Sequence, residues 1–190
     1  ASWYGKKFHG RKTANGEIYN MYAMTAAHKT LPFGTYITVR HLKNNRKIDV
    51  RINDRGPFAR GRILDLSYTA AKKLGIVGPG TARVEIVALG TIAQPKVSGS
   101  TGRSYIPGNY YQGKFTVQIG AFSELKNAQS LKQKLEQSFE NVYITLCYDC
   151  NSPIYRVKVG RCSSLEQAMK HEEILIQNGF KDAFAIAEDH

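Results

Sequence analysis

Ile48-Asp49-Val50-Arg51-Ile52-Asn53-Asp54-Arg55-Gly56-Pro57-Phe58 is the stretch from which the rest can be placed. Ile48, Val50 and Ile52 alternate with Lys47, Asp49, Arg51 and Asn53, the period-2 pattern of a strand buried on one face. Gly56 and Pro57 then end it in a turn. Asp54 therefore stands at the lip of a rigid strand, beside an arginine and just ahead of a loop. That position suits a catalytic carboxylate, and it suits equally a turn acid bonded to its own backbone.

Upstream, Ile37 and Val39 alternate with Tyr36, Thr38 and Arg40, and Asn44-Asn45 supplies the turn of a hairpin into the Asp54 strand. Residues 1–33 are rich in glycine, aromatics and turn formers, with Glu17 directly after the Asn15-Gly16 turn signal. Pro32 biases Leu31 towards an extended conformation. Downstream, Ile63-Leu64-Asp65-Leu66 reads as a short strand. Ser67 caps a helix over Tyr68 to Leu74, stopped by Gly75, with Lys72 and Lys73 in its last turn. Ala82, Val84 and Ile86 form a closing strand. Many short strands and one short helix predict a small all-β barrel over residues 1–90.

Residues 91–112, with Gln94-Pro95 and Ser98-Gly99-Ser100-Thr101-Gly102, have the composition of a flexible linker. From residue 113 to 190 strands and helices return in the order βαββαβ, an α+β ferredoxin-like unit. Its helices carry Leu125, Ala128, Leu131 and Leu135, then Leu165, Ala168, Met169, Ile174 and Leu175. Helices over one sheet face would bury Val117, Ile119, Ile144, Val157 and Val159. The other face would show Thr116, Gln118, Tyr143, Thr145, Arg156 and Lys158, either as a platform for a sugar chain or single-stranded nucleic acid, or as a merely solvated surface.

Charge divides along the same line. Residues 1–90 hold 16 Lys+Arg against 5 Asp+Glu, whereas residues 113–190 hold 9 against 10. A basic first unit favours an anionic polymer, a nucleic acid or an acidic cell-wall glycan. No recognition-helix or zinc-finger pattern supports the nucleic acid. Cys147-Tyr148-Asp149-Cys150 has the C-x-x-C form, but with only Cys162 besides it is not a zinc set. Strand geometry keeps Cys147 and Cys162 some 25 Å apart, while Cys147 and Cys150 could close a small disulfide loop. Cys162 is expected as a buried apolar filler. No apolar run approaches the length needed to cross a bilayer, and the chain opens at Ala1 with no basic or apolar leader pattern.

The blocks Ser2-Trp3-Tyr4-Gly5, Thr13-Ala14-Asn15-Gly16-Glu17, Ala26 to Thr35, Asn53-Asp54-Arg55-Gly56-Pro57-Phe58 and Asp65-Leu66-Ser67 make residues 2–89 resemble the rare lipoprotein A family of septal-ring lytic transglycosylases. Val117-Gln118-Ile119-Gly120-Ala121-Phe122 and Tyr155-Arg156-Val157-Lys158-Val159-Gly160 resemble the paired signature of a SPOR domain. The resemblance implies a double-psi β-barrel. It also implies cleavage of the β-1,4 bond between N-acetylmuramic acid and N-acetylglucosamine without water, leaving a 1,6-anhydro end. It puts catalysis on Glu17, His28 and Asp54, with Asp65 and Arg55 as further cleft residues and Arg55 near the sugar's lactyl carboxylate. The glycan-binding face of the SPOR domain would hold Thr116, Gln118, Tyr143, Arg156 and Lys158.

The partner so implied is peptide-stripped peptidoglycan, not nucleic acid, and neither cofactor nor metal is expected. Also implied are a monomer, a periplasmic place at the division septum, and an outer-membrane lipid anchor that is missing from this chain. Tyr19-Asn20 departs from the family's tyrosine-aspartate, and Cys162 from its phenylalanine. Which of Glu17 and Asp54 donates the proton is open at this level. A non-catalytic, expansin-like wall binder is the alternative.

Overall fold

The computed structural model describes residues 1–93, 104–149 and 152–188, and the chain divides between Asn109 and Tyr110 into two units. The first unit contains β1 (Ser2–Trp3), β2 (Thr25–Ala27), β3 (Tyr36–His41), β4 (Lys47–Asp54), β5 (Asp65–Leu66), α1 (Tyr68–Leu74), β6 (Val84–Ile92) and β7 (Tyr105–Ile106). They form one mixed sheet in the order β1-β5-β2-β4-β3-β6-β7.

The expected hairpin is β3 and β4, antiparallel with Ile37 opposite Val50 and Val39 opposite Ile48. Ile37, Val39, Val50 and Ile52 are fully buried. Ser67 Oγ accepts from the Ala70 N–H at the start of α1, and at its end Gly75, at φ 83°, donates its N–H to the Ala71 and Lys72 carbonyls. β2 has no alternation to reveal it, because Thr25, Ala26 and Ala27 are all buried. It lies parallel to β4 on one side and antiparallel to β5 on the other, and a strand flanked on both edges and covered on both faces reads as a continuous apolar run. Because Ile52 has no exposure, Ile52→Ala should lower the stability of the first unit by about 2–5 kcal/mol, read from its unfolding transition in denaturant.

Both ends of the expected tether are strands. β6 runs to Ile92, and β7 pairs back onto it through Thr91↔Ile106 and Ile92↔Tyr105. The middle of that tether, residues 94–103, lies outside the described residues.

The second unit has β8 (Gln112–Phe122), α2 (Leu125–Glu136), β9 (Val142–Asp149), β10 (Ser152–Ser164), α3 (Leu165–Gln177) and β11 (Phe184–Ala187), with the sheet ordered β11-β8-β10-β9. Val117, Ile119, Val157 and Val159 pack with Ala128 and Leu135 of α2 and Leu175 of α3. Cys162 is buried with Phe115, Ala168 and Ala185. A register shift on β10 after Val159 sets it opposite Phe115. Cys150, and with it the expected loop to Cys147, lies outside the described residues.

The sheet's other face departs from expectation: Thr116 and Gln118 are buried, not displayed. Alternation does turn them away from the helices, but long side chains of the neighbouring strands lie over them. Tyr143 bonds Glu188 through its hydroxyl. Lys158 reaches the same carboxylate at 3.9 Å, and Lys158 and Arg161 both lie over the Tyr143 ring. Thr116 Oγ1 donates to the carbonyls of Val159 and Gly160, at 3.1 and 2.9 Å. The Oε1 atom of Gln118 is buried without a hydrogen-bond partner among the described residues. Tyr143, Thr145, Arg156 and Lys158 remain partly accessible.

Candidate active site

A small hairpin brings the first carboxylate to the end of β4. Lys12 bridges Ile18, the Thr13 N–H donates to the Glu17 carbonyl at 2.8 Å, and Gly16 makes the turn at φ 87°, a conformation costly for a residue with a Cβ. Asn15 Oδ1 accepts from Thr13 Oγ1 and from the Glu17 N–H. Glu17 is thereby presented to the polar face of β4. Arg51 grips it with two parallel bonds, Nη1 to Oε1 and Nη2 to Oε2, both 2.8 Å, and Asn53 Nδ2 donates to Oε2 at 3.1 Å. The Arg51 hydrogen bonds, with help from Asn53, hold the Glu17 carboxyl down at about 2. Glu17 is thus an ionised, fixed negative charge on an exposed hairpin.

Strict alternation along β4 would turn Asp54 to the side of Val50 and Ile52. A bulge prevents this. Ala26 pairs with Ile52, but the next residue, Ala27, pairs with Asp54, leaving Asn53 as the extra residue, and an extra residue re-aims the side chain that follows. Asp54 thus comes to the same small hairpin that holds Glu17: the Ala14 N–H donates to Asp54 Oδ1 at 2.9 Å. The Arg55 N–H donates to the same oxygen at 2.8 Å, while the Tyr4 hydroxyl donates to Oδ2 at 3.1 Å. Burial and the nearby Asp54 charge push the Tyr4 phenol far up, so it stays a donor. Oδ1 is thus occupied by two amides, whereas Oδ2 accepts from one phenol.

His28 follows β2, and its N–H donates to the Asp54 carbonyl at 3.1 Å. Its Nδ1 accepts from the Thr30 and Leu31 N–H groups at 3.2 and 3.0 Å, which puts the ring proton on Nε2 and makes that atom a donor. Burial, then the charges of Arg55 and Lys29, lowers its pKa from 6.5 to about 4. The neutral ring is therefore favoured in the folded chain, and protonation favours unfolding. This contribution to stability is complete above 6.5 and fades as pH falls towards 4. The difference in melting temperature between the wild type and His28→Asn should accordingly shrink between pH 7 and 4.

Arg55 does something other than expected. It is buried, its Nη1 donates to the His28 and Leu31 carbonyls at 3.2 and 2.8 Å, and its guanidinium lies 3.9 Å from the Phe33 ring centre. It braces the loop that carries His28 and is not free to reach a sugar's carboxylate. Asp65 flanks Ala27 on the side away from Asp54, roughly 10 Å across two strand spacings. It accepts from the Ser2 hydroxyl at 2.6 Å and faces Arg62 at 3.6 Å, so it ties β1 to β5 at the edge of the cluster.

Residues 1–86 match the model of the lytic transglycolase family, and residues 111–187 that of the SPOR domain. Among curated relatives, the endolytic peptidoglycan transglycosylase RlpA of Helicobacter pylori (strain J99) is 42% identical over 182 residues, covering 88% of this chain and 57% of the relative. That of Campylobacter jejuni is 48% identical over 141 residues, covering 69% of this chain and 51% of the relative.

The chain belongs to the RlpA family.

Its first unit is accordingly a double-psi β-barrel, with parallel pairs β1–β5 and β2–β4, and its second a SPOR domain. The RlpA of Pseudomonas aeruginosa (strain UCBPP-PA14) is 60% identical over 86 residues, covering 45% of this chain and 25% of the relative. The crystal structure of the RlpA SPOR domain from Pseudomonas aeruginosa is similar with 21% identity and a TM-score of 0.36, covering 40% of this chain and 100% of that one. The chain spans about half the length of the curated relatives it matches.

Three members of this carboxylate cluster escape a reading of sequence alone. Arg51 and Asn53 look like the solvated side of an alternating strand, and Tyr4 like an aromatic core residue. The one available signal is that Arg51 and Asn53 share the polar face of β4 beside a turn that ends in an acid.

Proposed function

We propose that this chain is a peptidoglycan lytic transglycosylase that cuts the β-1,4 bond between N-acetylmuramic acid and N-acetylglucosamine. The observation that carries this is the division of labour between two carboxylates that meet at one hairpin: Glu17 locked in its ionised form by Arg51 and Asn53, and Asp54, from the end of β4, held by one oxygen with the other beside a phenol.

A glycosidic oxygen leaves readily only when it is protonated. Asp54 Oδ2 donates that proton as the bond to the anomeric carbon breaks. The positive charge that develops on the sugar is stabilised by Glu17, whose fixed charge needs no rearrangement at that moment. The sugar's own C6 hydroxyl attacks the anomeric carbon and returns its proton to Asp54. One proton leaves and one comes back, so the acid is regenerated, no water is consumed, and the product ends in a 1,6-anhydro ring. No second carboxylate attacks and no water site between two acids is needed, unlike the usual glycosidase pair. His28 Nε2–H serves as a neutral donor to the substrate, and the His28 N–H on the Asp54 carbonyl keeps the two groups in register.

The reading extends to endolytic cutting within peptide-stripped strands, to strand binding by the SPOR unit through Tyr143, Arg156 and Lys158, and to wall association in the periplasm. A lipid anchor in the outer membrane, septal placement and a monomeric state complete it, on the resemblance alone. The test is incubation of the purified chain with amidase-treated sacculi. Soluble fragments with anhydro ends are expected. Sedimentation with sacculi without release of fragments, unchanged in Glu17→Ala and Asp54→Ala, would make it a wall binder instead.

A further inference from the structure

The outer face of β4 continues past Glu17 into an open groove of about 580 Å³, within the range of sites that hold small organic ligands. Arg51, which grips Glu17, forms part of its wall, so the groove and the carboxylate cluster share a side chain. Tyr36 of β3, Asp49 and Lys47 of β4, Thr25 of β2 and Lys73 of α1 supply the rest of its polar lining, beside Ala23, Met24 and Ile48. The strand register explains why these meet. Lys47, Asp49 and Arg51 are alternate residues on one face, and Tyr36 is the cross-strand partner of Arg51. Lys47 lies four residues from Arg51, about 13 Å along the strand.

The groove's charges are unevenly occupied. Arg51 is paired with Glu17, and Asp49 adds one carboxylate to the lining, its Oδ1 accepting from Thr38 Oγ1 at 2.7 Å. Lys47 and Lys73 are exposed and have no acidic partner among the described residues. Two ammonium groups thus line a polar groove that borders the carboxylate cluster at Arg51.

We propose that this groove is a saccharide subsite flanking the cleaved bond, and that Lys47 and Lys73 bind the free lactyl carboxylate of an N-acetylmuramic acid residue. The proposal rests on the transglycosylase reading above. Its consequence is selectivity. A muramic acid stripped of its stem peptide carries a carboxylate at this point, whereas one bearing a peptide carries a neutral amide followed by bulk. Two cations here discriminate in favour of stripped strands within the catalytic unit itself, independently of any strand binding by the SPOR domain.

The test uses the full chain and two soluble peptide-free tetrasaccharides of alternating N-acetylglucosamine and N-acetylmuramic acid, one intact and one with its lactyl carboxylates reduced to alcohols. Residue-resolved NMR should show the intact oligomer perturbing Tyr36, Lys47, Arg51 and Lys73, with little response to the reduced one. The double variant Lys47→Gln/Lys73→Gln should lose that perturbation and raise KM on stripped strands by about tenfold, with kcat unchanged. Equal response to the two oligomers, or perturbation confined to residues after Tyr110, overturns the subsite. Undiminished cleavage in the double variant overturns the subsite and leaves the catalytic reading intact. Groove perturbation in a wild type that cuts nothing supports the subsite and overturns the catalytic reading.

Discussion

Asp54→Asn should lower the rate of anhydro-product release by about a thousandfold or more, in line with the loss of a group that acts first as acid and then as base. The substitution is nearly isosteric. Its amide oxygen can still accept from the Ala14 and Arg55 N–H groups, and its amide nitrogen can donate to the Tyr4 hydroxyl, so these three contacts are retained. Folding should therefore be intact, with an unchanged melting temperature as the control. Rate loss without stability loss separates a catalytic Asp54 from one that merely caps a turn. A turn acid replaced by Asn would leave the rate untouched.

Glu17→Gln should cost about a hundredfold or more in kcat with little change in KM, because it removes a charge that matters only as the sugar becomes cationic. Glu17 is exposed and its pair with Arg51 lies at the surface, where ion pairs add little to stability, so the effect should again be kinetic. The pH profile adds a second check. Glu17 is held at about 2 and His28 at about 4, so neither changes charge near neutrality. Between pH 6 and 8 the profile of Glu17→Gln should therefore keep the shape of the wild-type profile, with only its height reduced.

Much of this was legible in the residues because local and global signals agree. The Ile48–Ile52 alternation, the Asn44-Asn45 turn, the Ser67 cap and the βαββαβ order each specify an element that the structure contains. What was hidden has physical causes. β2 is buried on both faces and so shows no period. The bulge at Asn53 depends on pairing with Ala26 and Ala27, residues far away in the chain, yet it decides which way Asp54 faces. Arg55 sits beside the acid in sequence, but its guanidinium bonds to the His28 loop and stacks on Phe33. The guanidinium that holds the Glu17 carboxylate belongs instead to Arg51, on the strand's polar side. In the second unit alternation placed Thr116 and Gln118 on the correct face, but it does not reveal that Tyr143, Lys158 and Arg161 lie over that face.

The most direct measurement is the fate of solvent oxygen. Peptide-stripped glycan is cut by the wild-type chain in water enriched with heavy oxygen, and the new ends are examined by mass spectrometry. If Asp54 takes up the proton of the attacking C6 hydroxyl, every new muramic end is an anhydro ring carrying no label, and Asp54→Asn yields almost none. Labelled reducing ends would mean that water is the nucleophile, and the chain would then be a hydrolase.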